Sequence, residues 1–93
     1  MEDVDKLNDQ TALYKVVVET TDGRVRLAAV EKLTDQALLV KIAIEAQDRD
    51  IRNIAVGKLT DQALLARFAL EDEDEIVRDA AQKRLDALRK GGR

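Results

Sequence analysis

Apolar residues recur along the chain at steps of one, three and four, the spacing of a helix with 3.6 residues per turn rather than the alternation of a strand. In the middle of the chain they fall at Leu38, Leu39, Ile42, Ala43 and Ala46, and then, as a narrower stripe, at Ile51, Ile54, Ala55 and Leu59. This two-part pattern repeats: Leu7, Leu33, Leu59 and Leu85 mark a period of 26 residues, dividing the chain into units 7–32, 33–58 and 59–84. Units one and two are identical at 11 of 26 positions, and units two and three at 12. A fixed period of this length sets the architecture before any single residue does.

Each unit predicts a helical hairpin, with helices over 35–46 and 49–59 in unit two. Thr34 and Thr60, with Asn8 in unit one, stand before Asp-Gln and an apolar run, where a side-chain oxygen can accept from a free N–H of the first turn. Asp22, Asp48 and Asp74 serve the second helix in the same way, Asp50 competing in unit two. Helices of about eleven residues are marginal alone in water, so the hairpins are expected to stack. The first helix of unit two is apolar over most of its circumference, as an element sandwiched between neighbours would be. Ala28, Ala29, Ala80 and Ala81 leave room for close approach of the second helices. In unit three Asp79 and Gln82 stand where the earlier units have Leu27 and Val30, then Asn53 and Val56, which reads as a polar end to the stack. Asp86 to Lys90 extend the last helix with Leu88 inward, and Gly91 and Gly92 stop it. The acidic lead Met1 to Lys6 seals the other end less clearly.

The second helices carry a further pattern, DGRVRLAAVEKL, DRDIRNIAVGKL and DEIVRDAAQKRL. Val25/Arg26, Ile51/Arg52 and Val77/Arg78, each Arg preceded by an Asp four residues earlier and followed by Ala, resemble HEAT repeats over residues 7–85. The units look like a short variant, and the family's proline in the first helix has no counterpart. The resemblance implies an all-α, right-handed α-solenoid of three hairpins and about six helices, a single domain over 1–93 with a helical extension over 85–90. It also implies second helices on the concave face and a ladder formed by Asp22, Arg26, Asp48, Arg52, Asp74 and Arg78. Function transfers poorly: arrays of this kind serve as protein scaffolds, adaptors, pigment lyases and even DNA-repair enzymes.

Composition narrows the classes of function. The chain lacks Cys, His and Ser, so disulfides, the usual Cys/His zinc sites and catalysis through those nucleophiles or bases are excluded. The remaining carboxylates, lysines, threonines and Tyr14 all follow the repeat rather than converging, so no catalysis and no cofactor is expected. No apolar stretch approaches the length of a membrane span, and the acidic N-terminus is unlike a signal peptide, which together suggest a cytoplasmic protein. With 16 basic against 19 acidic side chains and two aromatic residues, Tyr14 and Phe68, there is no basic stripe for nucleic acid or for a membrane surface. The units carry net charges of 0, 0 and −3, so the third dominates the field.

A feature that recurs with the period serves the repeat, so the Asp and Arg ladder is expected to be structural rather than an anion-binding row. The same holds for Asp9, Asp35 and Asp61 with Gln10, Gln36 and Gln62 as first-turn residues. Lys15, Lys41 and Arg67 stand four residues before Glu19, Glu45 and Glu71, the spacing of solvated pairs on one helix face. The run Glu71 to Glu75 is the sharpest local anomaly; it lacks the glycine and the twelve-residue ligand spread of a calcium loop and reads as an exposed turn. Positions that differ between units are free to meet a partner: Arg49, Asp50, Asn53, Glu73, Glu75, Asp79 and Lys83 are the candidate contacts with a protein partner. Gly57, inside a helix, reads as tolerated rather than as a point of close approach. Tyr14, Val40 and Ala66 form an apolar row on the expected outer side that seals either a dimer or nothing. The expected function is therefore a non-catalytic interaction or scaffold module, monomeric or weakly dimeric. A self-associating spacer or an accessory lyase subunit is the alternative.

Overall fold

The computed structural model describes residues 9–91, which contain six helices and no strand. The predicted roles of Met1 to Lys6, Leu7, Asn8 and Gly92 lie outside the described residues. Helices α1 (Gln10–Glu19), α3 (Gln36–Glu45) and α5 (Gln62–Glu71) are the first helices of the three units, and α2 (Gly23–Lys32), α4 (Arg49–Gly57) and α6 (Glu75–Gly91) the second. Gly91 is the last residue of α6 rather than a stop beyond it.

The first helices begin one residue later than the threonines suggest. Asp9, Asp35 and Asp61, extended at φ −68 to −77°, are the caps, and the Asp35 and Asp61 carboxylates accept from the N–H groups of Leu38 and Leu64. The Thr34 and Thr60 N–H groups are engaged elsewhere, by glutamines of the preceding unit. Two adjacent cap-competent residues compete at each start, and backbone geometry gives the place to the one whose oxygen reaches the first-turn amides. The second helices begin as predicted: Asp22, Asp48 and Asp74 accept from Arg24, Asp50 and Ile76 at 2.8–2.9 Å.

Within each unit the two helices pack together, α1 on α2, α3 on α4 and α5 on α6. Between units the packing is unequal. Helix α2 packs on α4 and α4 on α6, whereas α1 meets α3 sparsely and α3 and α5 hardly touch. A single apolar cluster runs through all three units, including the period leucines Leu33 and Leu59 with Leu39, Leu65, Ile51 and Val77. Each such side chain contributes roughly 1.5–3 kcal/mol when fully buried, well above what any surface pair supplies. Asp79 and Gln82 are exposed and make the outer side of α6 polar there, although Ile76, one turn before Asp79, is 49 % exposed. At the other end Val25 is 45 % exposed, although the equivalent Ile51 and Val77 are covered by the hairpin before them.

The polar residues that recur every 26 positions tie the frame together, some across units and some within one. Gln10 Oε1 accepts from the N–H groups of Thr34 and Asp35 at 2.7 and 2.9 Å. Gln36 repeats this on Thr60 at 3.0 Å and also donates to the Lys58 carbonyl. Arg26, Arg52 and Arg78 donate to the carbonyls of Thr20, Ala46 and Asp72, six residues back in each case, and so hold the loop between the two helices of their own unit. Lys58 and Arg84, equivalent by period, reach back to carbonyls at the end of the preceding second helix, Lys58 to Val30 and Glu31 and Arg84 to Leu59.

Candidate docking surface

Because the first helices stand apart while the second helices pack, two grooves open between neighbouring first helices. The α1/α3 groove holds about 380 Å³ and the α3/α5 groove about 780 Å³. They are versions of one site. Of the ten residues lining the smaller groove, seven have their equivalent 26 positions later in the larger one, among them Val18 and Ile44, Arg26 and Arg52, and Ile42 and Phe68.

Val18, Ile44 and Leu70 form a row at the same helix position, exposed by 54, 61 and 81 %. The first two wall the two grooves; Leu70, in the last unit, faces no further first helix among the described residues. Valine, isoleucine and leucine thus stand exposed at the same position of three successive first helices, a repeated feature rather than a single stray apolar. Sequence reasoning passed over this row in favour of Tyr14, Val40 and Ala66. Those three are half-buried against the core, and the Lys41 ammonium stands 5.4 Å from the centre of the Tyr14 ring. The signal was present in the all-round apolar character of the first helix: a helix with more apolar faces than neighbours must expose one.

An arginine lies at the foot of each groove. Arg26 meets the Asp48 carboxylate of the next unit at 3.3 Å, with the two side chains 25 and 42 % exposed. Arg52 meets Asp72 at 3.4 Å in a much drier setting, 10 and 8 % exposed. The second rung of the expected ladder thus uses Asp72, whereas Asp74 pairs with Arg49 at 3.5 Å and Asp22 caps α2. An acidic run offers several candidates for one cation, and Asp72, which ends α5, is the one that comes within reach of Arg52. Arg52 keeps its Nε buried without a hydrogen-bond partner.

Only one of the three lysine or arginine pairs expected on the first helices closes within 4 Å, Arg67 with Glu71 at 3.6 Å. Glu45 has no cation within that distance among the described residues, since Lys41 is drawn over Tyr14. Glu45 is also the last residue of α3, and no basic residue lies in that last turn to offset the negative end of the dipole. Glu73 is exposed at the edge of the same groove. Asp72 and Asp74 are committed to Arg52 and Arg49 and to the turn. Among the described residues no three carboxylates are grouped to hold a metal ion.

The remaining predicted contacts lie on the second helices. Arg49, Asp50 and Glu75 are exposed in first turns, and Asp79 and Lys83 pair with each other at 3.4 Å. Asn53 is half-buried and its Oδ1 is enclosed with no partner, so it belongs to the packing of α4 more than to an open face. A Cβ on Gly57 would meet nothing within 4 Å, which excludes a close approach there. Lys58 is lowered from its ordinary value by burial, with Glu31 acting in the opposite sense. No helix among the described residues is long and apolar enough to cross a membrane. No family model, curated protein or solved structure matches the chain.

Proposed function

We propose that the chain is a non-catalytic protein-binding module, a short right-handed solenoid of HEAT-like hairpins that receives its partner in the grooves between first helices. The observation that carries this reading is the exposed row Val18, Ile44 and Leu70 beside two equivalent grooves. Stable protein interfaces centre on apolar side chains rimmed by charge, and this face has both. The second-helix face, where the variable positions first suggested contact, offers mostly charged residues, two of which neutralise each other. Closer packing among the second helices than among the first favours a curved stack with the grooves on its outer side. The central helix pair, stapled on both sides by Gln10, Gln36, Arg26 and Arg52, supplies a rigid wall to each groove.

The test is a matched pair of variants, each checked for unchanged helicity. Ile44→Asp with Leu70→Asp places charge in the apolar row, and Glu75→Lys with Asp79→Lys reverses charge on α6. A protein captured by the wild type is expected to be lost with the first pair and kept with the second. Loss with the second pair alone would move the site to the second helices.

A further inference from the structure

The two grooves share a plan but differ in charge, and the difference selects an occupant. We infer that the α3/α5 groove takes a basic amphipathic helix of a partner protein, its apolar side on Ile44, Leu64 and Phe68 and its Lys or Arg side chains on Glu45 and Glu73. The inference rests on the docking face proposed above and adds the chemistry of what docks there.

Charge complementarity carries it. The charged residues lining this groove are Glu45, Glu71, Asp72 and Glu73 against Arg52 and Arg67. Arg52 with Asp72 and Arg67 with Glu71 satisfy each other, which leaves Glu45 and Glu73 as two carboxylates with no cation within 4 Å among the described residues. Glu45 stands against the helix dipole as well, an arrangement that weakens α3 and that an incoming cation would relieve. Glu45 lines the α1/α3 groove as well, but there the equivalents of Asp72 and Glu73 are Ala46 and Gln47, so among the described residues that groove has one unpaired carboxylate where the α3/α5 groove has two. The flanking helices are ten residues each, about 15 Å long, a span matched by roughly three turns of a docked helix carrying anchors at i, i+3, i+4 and i+7.

Other occupants fit less well. An anionic lipid surface or a nucleic acid would be repelled by the same carboxylates. A second copy has a basic helix end at Arg89 and Lys90, but its apolar side, Leu85 and Leu88, is already used in its own core.

The probe is a synthetic amphipathic peptide of about fourteen residues, with Leu on one face and Lys on the other, enough for the roughly three turns that match the groove with a residue or two to spare at each end. Two controls accompany it: the same Leu pattern with Glu in place of Lys, and a Leu/Lys peptide scrambled to remove the apolar face. Binding is followed by amide shifts in the NMR spectrum of the whole chain. The Leu/Lys peptide is expected to shift residues 43–47 and 64–73 and to bind about tenfold more weakly to the Glu45→Gln, Glu73→Gln double variant, a loss of two exposed charge contacts. Equal binding of the scrambled peptide, unchanged affinity of the double variant, or no binding at all overturns the inference. If the Leu/Glu peptide occupies the groove as well as the Leu/Lys one, the charge assignment fails while the docking face stands. Shifts confined to the second helices, around Asp50, Glu75 and Asp79, remove both.

Discussion

The joint between units one and two and the joint between units two and three are built from the same positions and end up unlike each other. The first closes on Gln10 and on Arg26 with Asp48, an ion pair partly open to water, beneath a groove of about 380 Å³ walled by Val17 and Val18. The second closes on Gln36 and on Arg52 with Asp72, nearly dry, beneath a groove of about 780 Å³ in which Ala43 replaces Val17 and two acids replace Ala46 and Gln47. A smaller wall residue and acidic substitutions accompany the larger, negative groove and the buried arginine at its foot. The frame is periodic and therefore uninformative about a partner. The departures from the period hold the specificity.

The largest consequence concerns the arginine pairs. Asp72→Ser keeps an oxygen for the Asp74 N–H but leaves the Arg52 guanidinium enclosed without its carboxylate. It should cost about 3 kcal/mol or more, the penalty for an uncompensated buried charge. Asp48→Ser preserves the cap of α4 and breaks only a half-exposed pair, so about 1 kcal/mol or less is expected. Urea midpoints at constant slope measure both. Equal losses would mean that the two joints are not distinguished by burial.

Next in size are the enclosed polar groups of α4 and the glutamine joints. Asn53→Leu restores the residue that unit one carries at Leu27 and removes an acceptor buried without a partner, so stability should rise by about 1 kcal/mol. A fall in melting temperature would show that the Asn53 amide is satisfied in solution. Gln36→Ala should cost about 1 kcal/mol through its bonds to Thr60 and Lys58. Gln62→Ala, exposed and beyond the last joint, should stay within about 0.5 kcal/mol of wild type.

These comparisons also show what the sequence could carry. The period, the buried leucines at 33, 59 and 85, the aspartate caps of the second helices and the arginine row were all legible, because each follows from local spacing or from repetition. A surplus apolar face on the first helices was legible too, but not that Val18, Ile44 and Leu70 are the residues it exposes, since that depends on how far apart neighbouring first helices stand, a non-local property of the packing. The partner of Arg52 was hidden by degeneracy: five consecutive acids offer no local reason to prefer Asp72 over Asp74. Spacing likewise paired Lys41 with Glu45, but an aromatic ring from the previous unit competed for the ammonium and left the carboxylate bare.

That bare carboxylate gives the smallest effect and the most direct link between stability and binding. Glu45 and Glu71 are equivalent and both end a first helix, yet only Glu71 has a cation at hand, Arg67 at 3.6 Å. Replacing Glu45 by Gln relieves the unfavourable meeting of a negative charge with the negative helix end and should raise stability by about 0.3–1 kcal/mol at low ionic strength. Glu71→Gln relieves the same contact but loses the pair with Arg67, and the two terms, each a few tenths of a kcal/mol, should nearly cancel. The gain at Glu45 should fade as salt shortens the screening length to a few ångström. Thermal melts of the two variants at low and high salt decide it. A gain at Glu71 equal to that at Glu45 would remove the distinction between a paired and a free acid on the groove rim, and with it the reason to look there first for a basic partner.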